Sequence, residues 1–179
     1  GVELYQQMLE EAVAEARGNG AGEWAEGEWS PQVALGMAVL IPETYVADLG
    51  VRLSLYRRIA RLADDAEIDA FAAEMIDRFG PLPPEVDNLL KTVAIKALCR
   101  RAGVAKVDAG PKGAVLSFRN DTFANPGGLV RFLTEQVGTA KLRPDHKLVY
   151  MRSWDDAETR LKGVSWLMKK LAAVAAETA

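Results

Sequence analysis

An α+β fold is predicted for this chain of 179 residues by three observations. Apolar residues recur at helical spacing in six stretches, and period-two alternation is confined to one leading strand and two β-hairpins. No regular strand–helix–strand alternation appears, which disfavours a doubly wound sheet. The expected architecture is several helices packed with a small, mostly antiparallel sheet built from the leading strand and the two hairpins.

Residues 2 to 17 form the first predicted helix, because Tyr5, Met8, Leu9, Ala12, Val13 and Ala16 share one face. The breaker Gly18-Asn19-Gly20-Ala21-Gly22 ends it, and a linker with Trp24 and Trp29 among acids runs to Ser30. Those tryptophans either dock onto a neighbour or cover local apolar surface. Val33 to Ile41 alternates large with small residues, predicting a strand that Pro42 stops. Val51 to Leu62 predicts a helix on Val51, Leu55, Ile59 and Leu62. Asp64 and Glu67 stand three apart as a capping box. The helix they open is expected to bury Ile68, Phe71, Ala72, Met75, Ile76 and Phe79 and to end at Gly80-Pro81, where glycine accepts a left-handed cap.

A further helix is expected from Pro84 to about Arg101, closed by Gly103. The period then changes to two. Val104 to Ala109 and Ala114 to Phe118 flank the turn Gly110-Pro111-Lys112-Gly113, the signature of a hairpin. Asn125-Pro126 caps a short helix on Leu129, Val130, Phe132, Leu133 and Val137, ended by Gly138. The second hairpin pairs Ala140 to Arg143 with Lys147 to Arg152 across Pro144-Asp145-His146, and Ser153 is the expected cap of a long last helix.

Composition narrows the function. The net charge of −3 conceals nine acids against one base (Arg17) in residues 1 to 50, followed by a mildly basic body. A hydrophobic fraction of 49% with 26% charged residues is ordinary globular material. One cysteine, Cys99, excludes an internal disulfide and fits a reducing compartment. No apolar run approaches the roughly 20 residues of a membrane span, and no basic leader precedes the chain, so a cytoplasmic location without membrane contact is expected. The chain begins with Gly1 rather than Met, as a piece of a longer polypeptide would.

The residues offer little for catalysis. No glycine loop ends in Lys-Ser/Thr before a helix, so the turn 110–113 is read as a turn and not a phosphate cradle. One histidine, His146, and one cysteine cannot supply a zinc set, and no metal or other cofactor is expected in this fragment. Cys99 is read as a small apolar filler and His146 as an exposed turn residue. The arginines Arg52, Arg57, Arg58 and Arg61 support an alternative reading as an accessory nucleic-acid-binding helix over 52–61, although they wrap around the helix without interleaved aromatics. Glu67, Ala70, Glu74 and Asp77 fall on the side opposite Phe71 and Met75, with Glu74 and Asp77 one turn apart beside Arg78. Periodicity leaves both a solvated face and a docking site open there.

Three ordered motifs carry a family resemblance. Ala38-Val39-Leu40-Ile41-Pro42-Glu43-Thr44-Tyr45-Val46, Arg52-Leu53-Ser54-Leu55-Tyr56-Arg57-Arg58-Ile59 and Glu74-Met75-Ile76-Asp77-Arg78-Phe79-Gly80-Pro81-Leu82-Pro83 together resemble the C-terminal domain of bacterial transcription-repair coupling factors (Mfd). The opening Gly1-Val2-Glu3-Leu4-Tyr5-Gln6-Gln7-Met8-Leu9 looks like the segment that follows the motor in that family. The resemblance implies a connector over 1–30 and a C-terminal regulatory domain over 31–179. It implies a parent that is an ATP-driven DNA translocase engaging RNA polymerase, UvrA and duplex DNA, with ATP and Mg bound by motor domains outside this fragment. The fragment itself would be a non-catalytic monomer. It would dock on the parent's own N-terminal UvrA-binding module, hiding the UvrA surface and restraining the motor until polymerase is engaged. The family places that contact on acids of the helix ending in Asp-Arg-Phe-Gly, which here are Glu74 and Asp77, with Arg78 and Glu67 at the rim.

Overall fold

The computed structural model describes residues 2–17 and 29–177. Gly18 to Gly22 and Trp24 lie outside them, and so does the side chain of Tyr5. Six helices accompany five strands: α1 (Val2–Arg17), β1 (Gln32–Ala34), α2 (Leu49–Ala60), α3 (Asp65–Phe79), α4 (Pro84–Ala102), β2 (Val104–Gly110), β3 (Gly113–Phe118), α5 (Pro126–Glu135), β4 (Ala140–Leu142), β5 (Leu148–Met151) and α6 (Ala157–Ala176). A single 3-10 turn covers Arg119–Asp121. The expected α+β class holds. The strands make one sheet in the order β1-β2-β3-β5-β4, with β1 parallel to β2 and every other pair antiparallel.

The chain divides into two compact units. The helical unit contains α1, residues 38–48, α2, α3 and α4 as far as Ala97. Its core joins Ala12 and Ala16 of α1 to Leu53, Leu55, Tyr56 and Ile59 of α2, Ile68, Phe71 and Met75 of α3, and Val86, Leu89, Leu90 and Val93 of α4. Burial of such side chains stabilises by roughly 1.5–3 kcal/mol each relative to exposure. The capping expected at α3 is present in modified form: Asp64 accepts from the Glu67 amide at 2.8 Å, while the Glu67 carboxylate accepts from Ala63 N–H, one residue before the cap. Gly80 closes α3 at φ +96° and ψ −171°, outside the left-handed helical region expected but still one that favours glycine.

The sheet unit contains residues 29–37 and 98–177. Val33, Val107, Leu116, Leu148 and Tyr150 are buried on one face, together with Leu161, Val164, Leu167, Met168 and Leu171 of α6 and Phe132 of α5. Trp29 accepts the Arg119 guanidinium over its ring at 5.1 Å, so this tryptophan covers local surface.

Three expectations are corrected. The leading strand ends at Ala34 rather than Ile41, because Gly36 turns the chain at φ +65° and the carbonyls of Leu35 and Gly36 accept from Arg160 instead of a ladder. The last helix is capped by Asp156, whose carboxylate accepts from Thr159 N–H, not by Ser153. Ile76, Val130 and Val137 are 48%, 62% and 78% exposed. Each is apolar yet lies about 100° round the helix from a buried neighbour, so the burying arcs are narrower than the apolar ones.

Candidate functional site

All eight residues singled out by the sequence lie in the helical unit, on α2, α3 and the residues adjoining them. The motif residues explain how α3 is held. The Tyr45 hydroxyl donates to the carbonyls of Met75 at 3.1 Å and Gly80 at 2.7 Å, satisfying acceptors at the helix end that would otherwise lack an intrahelical partner. Desolvation pushes the Tyr45 phenol up, so it remains a donor. Its ring packs 5.7 Å from Phe79. The Tyr56 hydroxyl accepts from Ile41 N–H at 2.6 Å, tying the stretch before Pro42 to α2. Sequence reasoning did not assign roles to Tyr45 or Tyr56. A tyrosine within a Pro-rich turn was the available signal.

Glu74 is the centre of an ion cluster. Its two oxygens accept from Arg58 in a fork, Oε2 from Nη1 at 2.6 Å and Oε1 from Nη2 at 2.7 Å, and Arg78 one turn along α3 adds 3.0 Å to Oε2. The hydrogen bonds from Arg58, then from Arg78, hold the Glu74 carboxyl down at about 2. Both guanidiniums also stack on aromatics, Arg58 over Phe71 at 5.0 Å and Arg78 over Phe79 at 4.8 Å. The cluster stays wet, with side chains of Arg58, Glu74 and Arg78 roughly two-fifths exposed. Exposed pairs of this kind contribute about 0.2–1 kcal/mol.

Asp77 stands apart from that cluster. It is exposed and makes no side-chain hydrogen bond or ion pair among the described residues. Beside it Ile76 projects into solvent, and one turn back Ala73 and Ala70 are exposed and small. Glu67, two turns back from Glu74, is committed to capping. The structure therefore brings together Glu74, Arg78 and Arg58, sets Asp77 and Ile76 as a free ledge next to them, and leaves Glu67 elsewhere. Ile76 was missed because its hydrophobicity placed it in the core.

The arginines divide as well. Arg52 Nη1 donates to the carbonyls of Val46 at 2.7 Å and Ala47 at 2.9 Å, and Arg58 is engaged by Glu74. Only Arg57 and Arg61, one turn apart and exposed, carry no side-chain partner among the described residues. Neither of the engaged arginines can meet a phosphate without giving up its present acceptors. Among the described residues no three His, Cys, Asp or Glu side chains converge to hold a metal ion, and no helix is long and apolar enough to cross a membrane.

Comparison with known proteins aligns with this geometry. The model of the TRCF domain family matches residues 35–129, a span that includes all three motifs. The transcription-repair-coupling factor of Rickettsia bellii (strain RML369-C) is 42% identical over 153 residues, 85% of this chain and 13% of that protein. Its counterpart in Escherichia coli (strain K12) is 31% identical over 173 residues, 96% of this chain and 15% of that protein. The chain thus spans about a seventh of the length of the relatives it matches. A solved structure described as the C-terminal domain of transcription-repair coupling factor superposes with a TM-score of 0.68 at 19% identity, over 81% of this chain and 93% of that one.

Proposed function

Because the chain belongs to the TRCF domain family, a domain of transcription-repair coupling factors, we propose that it is the regulatory clamp of such a factor. In this reading it docks on the parent's N-terminal UvrA-binding module, masks the UvrA surface, restrains the ATP-driven translocase until RNA polymerase is engaged, and itself catalyses nothing. The observation that carries the proposal is the ledge at the end of α3, where Asp77 and Ile76 are exposed beside the half-exposed Glu74.

The physical chemistry suits a contact that must open. Glu74 already pairs with arginines, so docking exchanges Arg58 or Arg78 for an arginine of the module, one exposed pair for another at little net cost. Asp77 is ready for a new cation without breaking any pair. Ile76 supplies an apolar anchor of one side chain, small enough for release. A competing partner needs a preference of only about 5.5 kcal/mol for the open state to carry the population from 1:99 to 99:1.

The decisive variant is Asp77→Lys, which reverses charge without removing a partner from Arg58. In the full-length protein it should raise both UvrA binding and polymerase-free ATP hydrolysis, and Glu74→Lys added to it should raise them further. Unchanged values in both assays would end the reading.

A further inference from the structure

The five-stranded sheet buries one face under α5 and α6 and presents the other to solvent among the described residues. Register places a complete row across that outer face: Ala34 on β1, Asp108 on β2, Val115 on β3, Val149 on β5 and Lys141 on β4. Val115 and Val149 are directly paired, and the next outward residue of β5, Met151, is paired with Gly113. Glycine offers no side chain to cover it, and Met151 is 49% exposed. An antiparallel sheet facing water ordinarily alternates apolar-in with polar-out. Here the centre of the outer face breaks that rule three times, at Val115, Val149 and Met151.

Cations surround the apolar centre. Lys106 stands on the outer side of β2, Lys141 on the outer side of β4, and Lys112 and Arg152 line a shallow depression of about 960 Å³ that also includes Val115, Val149 and Met151. Asp108 and Asp155 are the acids at the same depression. Four positive groups against two negative ones favour an acidic visitor. The apolar residues are aliphatic, and no aromatic ring is offered outward from these strands for a base to stack on, which disfavours single-stranded nucleic acid. The sheet is roughly 19 Å wide from β1 to β4 by strand spacing, room for one helix of about 10–12 Å diameter. Strand addition at the β4 edge is discouraged by its three-residue length and by Lys141.

We propose that this outer sheet face is a second docking surface, distinct from the α3 ledge. Its occupant is an amphipathic helix of a partner protein, with an apolar stripe seated on Val115, Val149 and Met151 and acidic flanks reaching Lys106, Lys112, Lys141 and Arg152. The test is a heteronuclear NMR titration of the full chain with a synthetic helical peptide carrying leucines on one face and glutamates on both flanks. Shifts should concentrate on Val115, Val149, Met151 and Lys141, and a lysine-flanked twin of the peptide should produce none. Met151→Glu, at an exposed position that leaves the core untouched, should weaken binding about tenfold or more, and Lys106→Glu with Lys141→Glu should do likewise. Equal binding of the twin would overturn the proposal. So would the same shifts with a single-stranded DNA oligonucleotide, the same shifts on simple concentration of the chain (a second copy as occupant), or no shift at millimolar peptide.

Discussion

Arg58 of the helical unit and Arg160 of the sheet unit carry the same charge into opposite surroundings. Arg58 meets a carboxylate at the surface, in a fork with Glu74 that solvent can reach. Arg160 is 6% exposed and meets only backbone carbonyls: Trp154 through Nε at 3.1 Å and Nη2 at 2.9 Å, and Leu35 through Nη1 at 2.8 Å. The surface arginine can change partners at little cost, because water stands in for whatever it loses. The buried one cannot, because its carbonyl partners would be left without donors. The comparison separates a unit whose charges are disposed for exchange from a unit whose charge is part of the framework.

Removing Arg160 should give the largest effect. Arg160→Met keeps much of the apolar stem but strands the carbonyls of Trp154 and Leu35, a loss of about 3 kcal/mol or more, visible as a lower denaturant midpoint. A change below about 0.5 kcal/mol would erase the contrast with Arg58. Gly163→Ala probes packing in the same unit. The added carbon would meet Trp154 ring atoms at 2.4–2.5 Å, and a cost of about 1–3 kcal/mol is expected by thermal or chemical unfolding.

In the helical unit the effects should be smaller. Tyr45→Phe removes the donor that serves Met75 and Gly80 and should cost about 1 kcal/mol in unfolding experiments. The smallest effect belongs to the ion cluster. The folded Glu74 carboxyl at about 2 lies below its ordinary value of 4.5, so its contribution is complete above pH 4.5 and is lost as pH falls through about 2. An exposed cluster supplies only about 0.2–1 kcal/mol by this route. NMR titration of the Glu74 carboxyl should report the low value in the parent and a shift back towards 4.5 in Arg58→Gln. An unmoved value would show that Arg58 is not the partner that matters.

Much of this molecule was legible in the chain. Caps at Asp64, Asn125 and Pro84, the Gly110–Gly113 turn and the switch of period after Gly103 all rest on interactions within a few residues, and the structure keeps them. The acids at the end of α3 were legible for the same reason, since helical spacing alone places Glu74 and Asp77 one turn apart. What failed were judgements about depth. Ile76 and Val137 were read as core, and Arg160 drew no attention at all, because composition cannot say which part of an apolar arc another element will cover.

By itself the sequence determined the α+β class, the order of elements and the family, since each follows from local periodicity, turn chemistry or ordered motifs. Only the tertiary structure decided that β5 lies between β3 and β4, that Glu74 is spoken for by Arg58 while Asp77 is not, and that Arg160 replaces the second half of the leading strand. Those outcomes join residues 16 to 125 positions apart. Contacts at such separations depend on how whole faces pack, and packing is settled by burial and hydrogen-bond satisfaction across the unit rather than by any one stretch of chain.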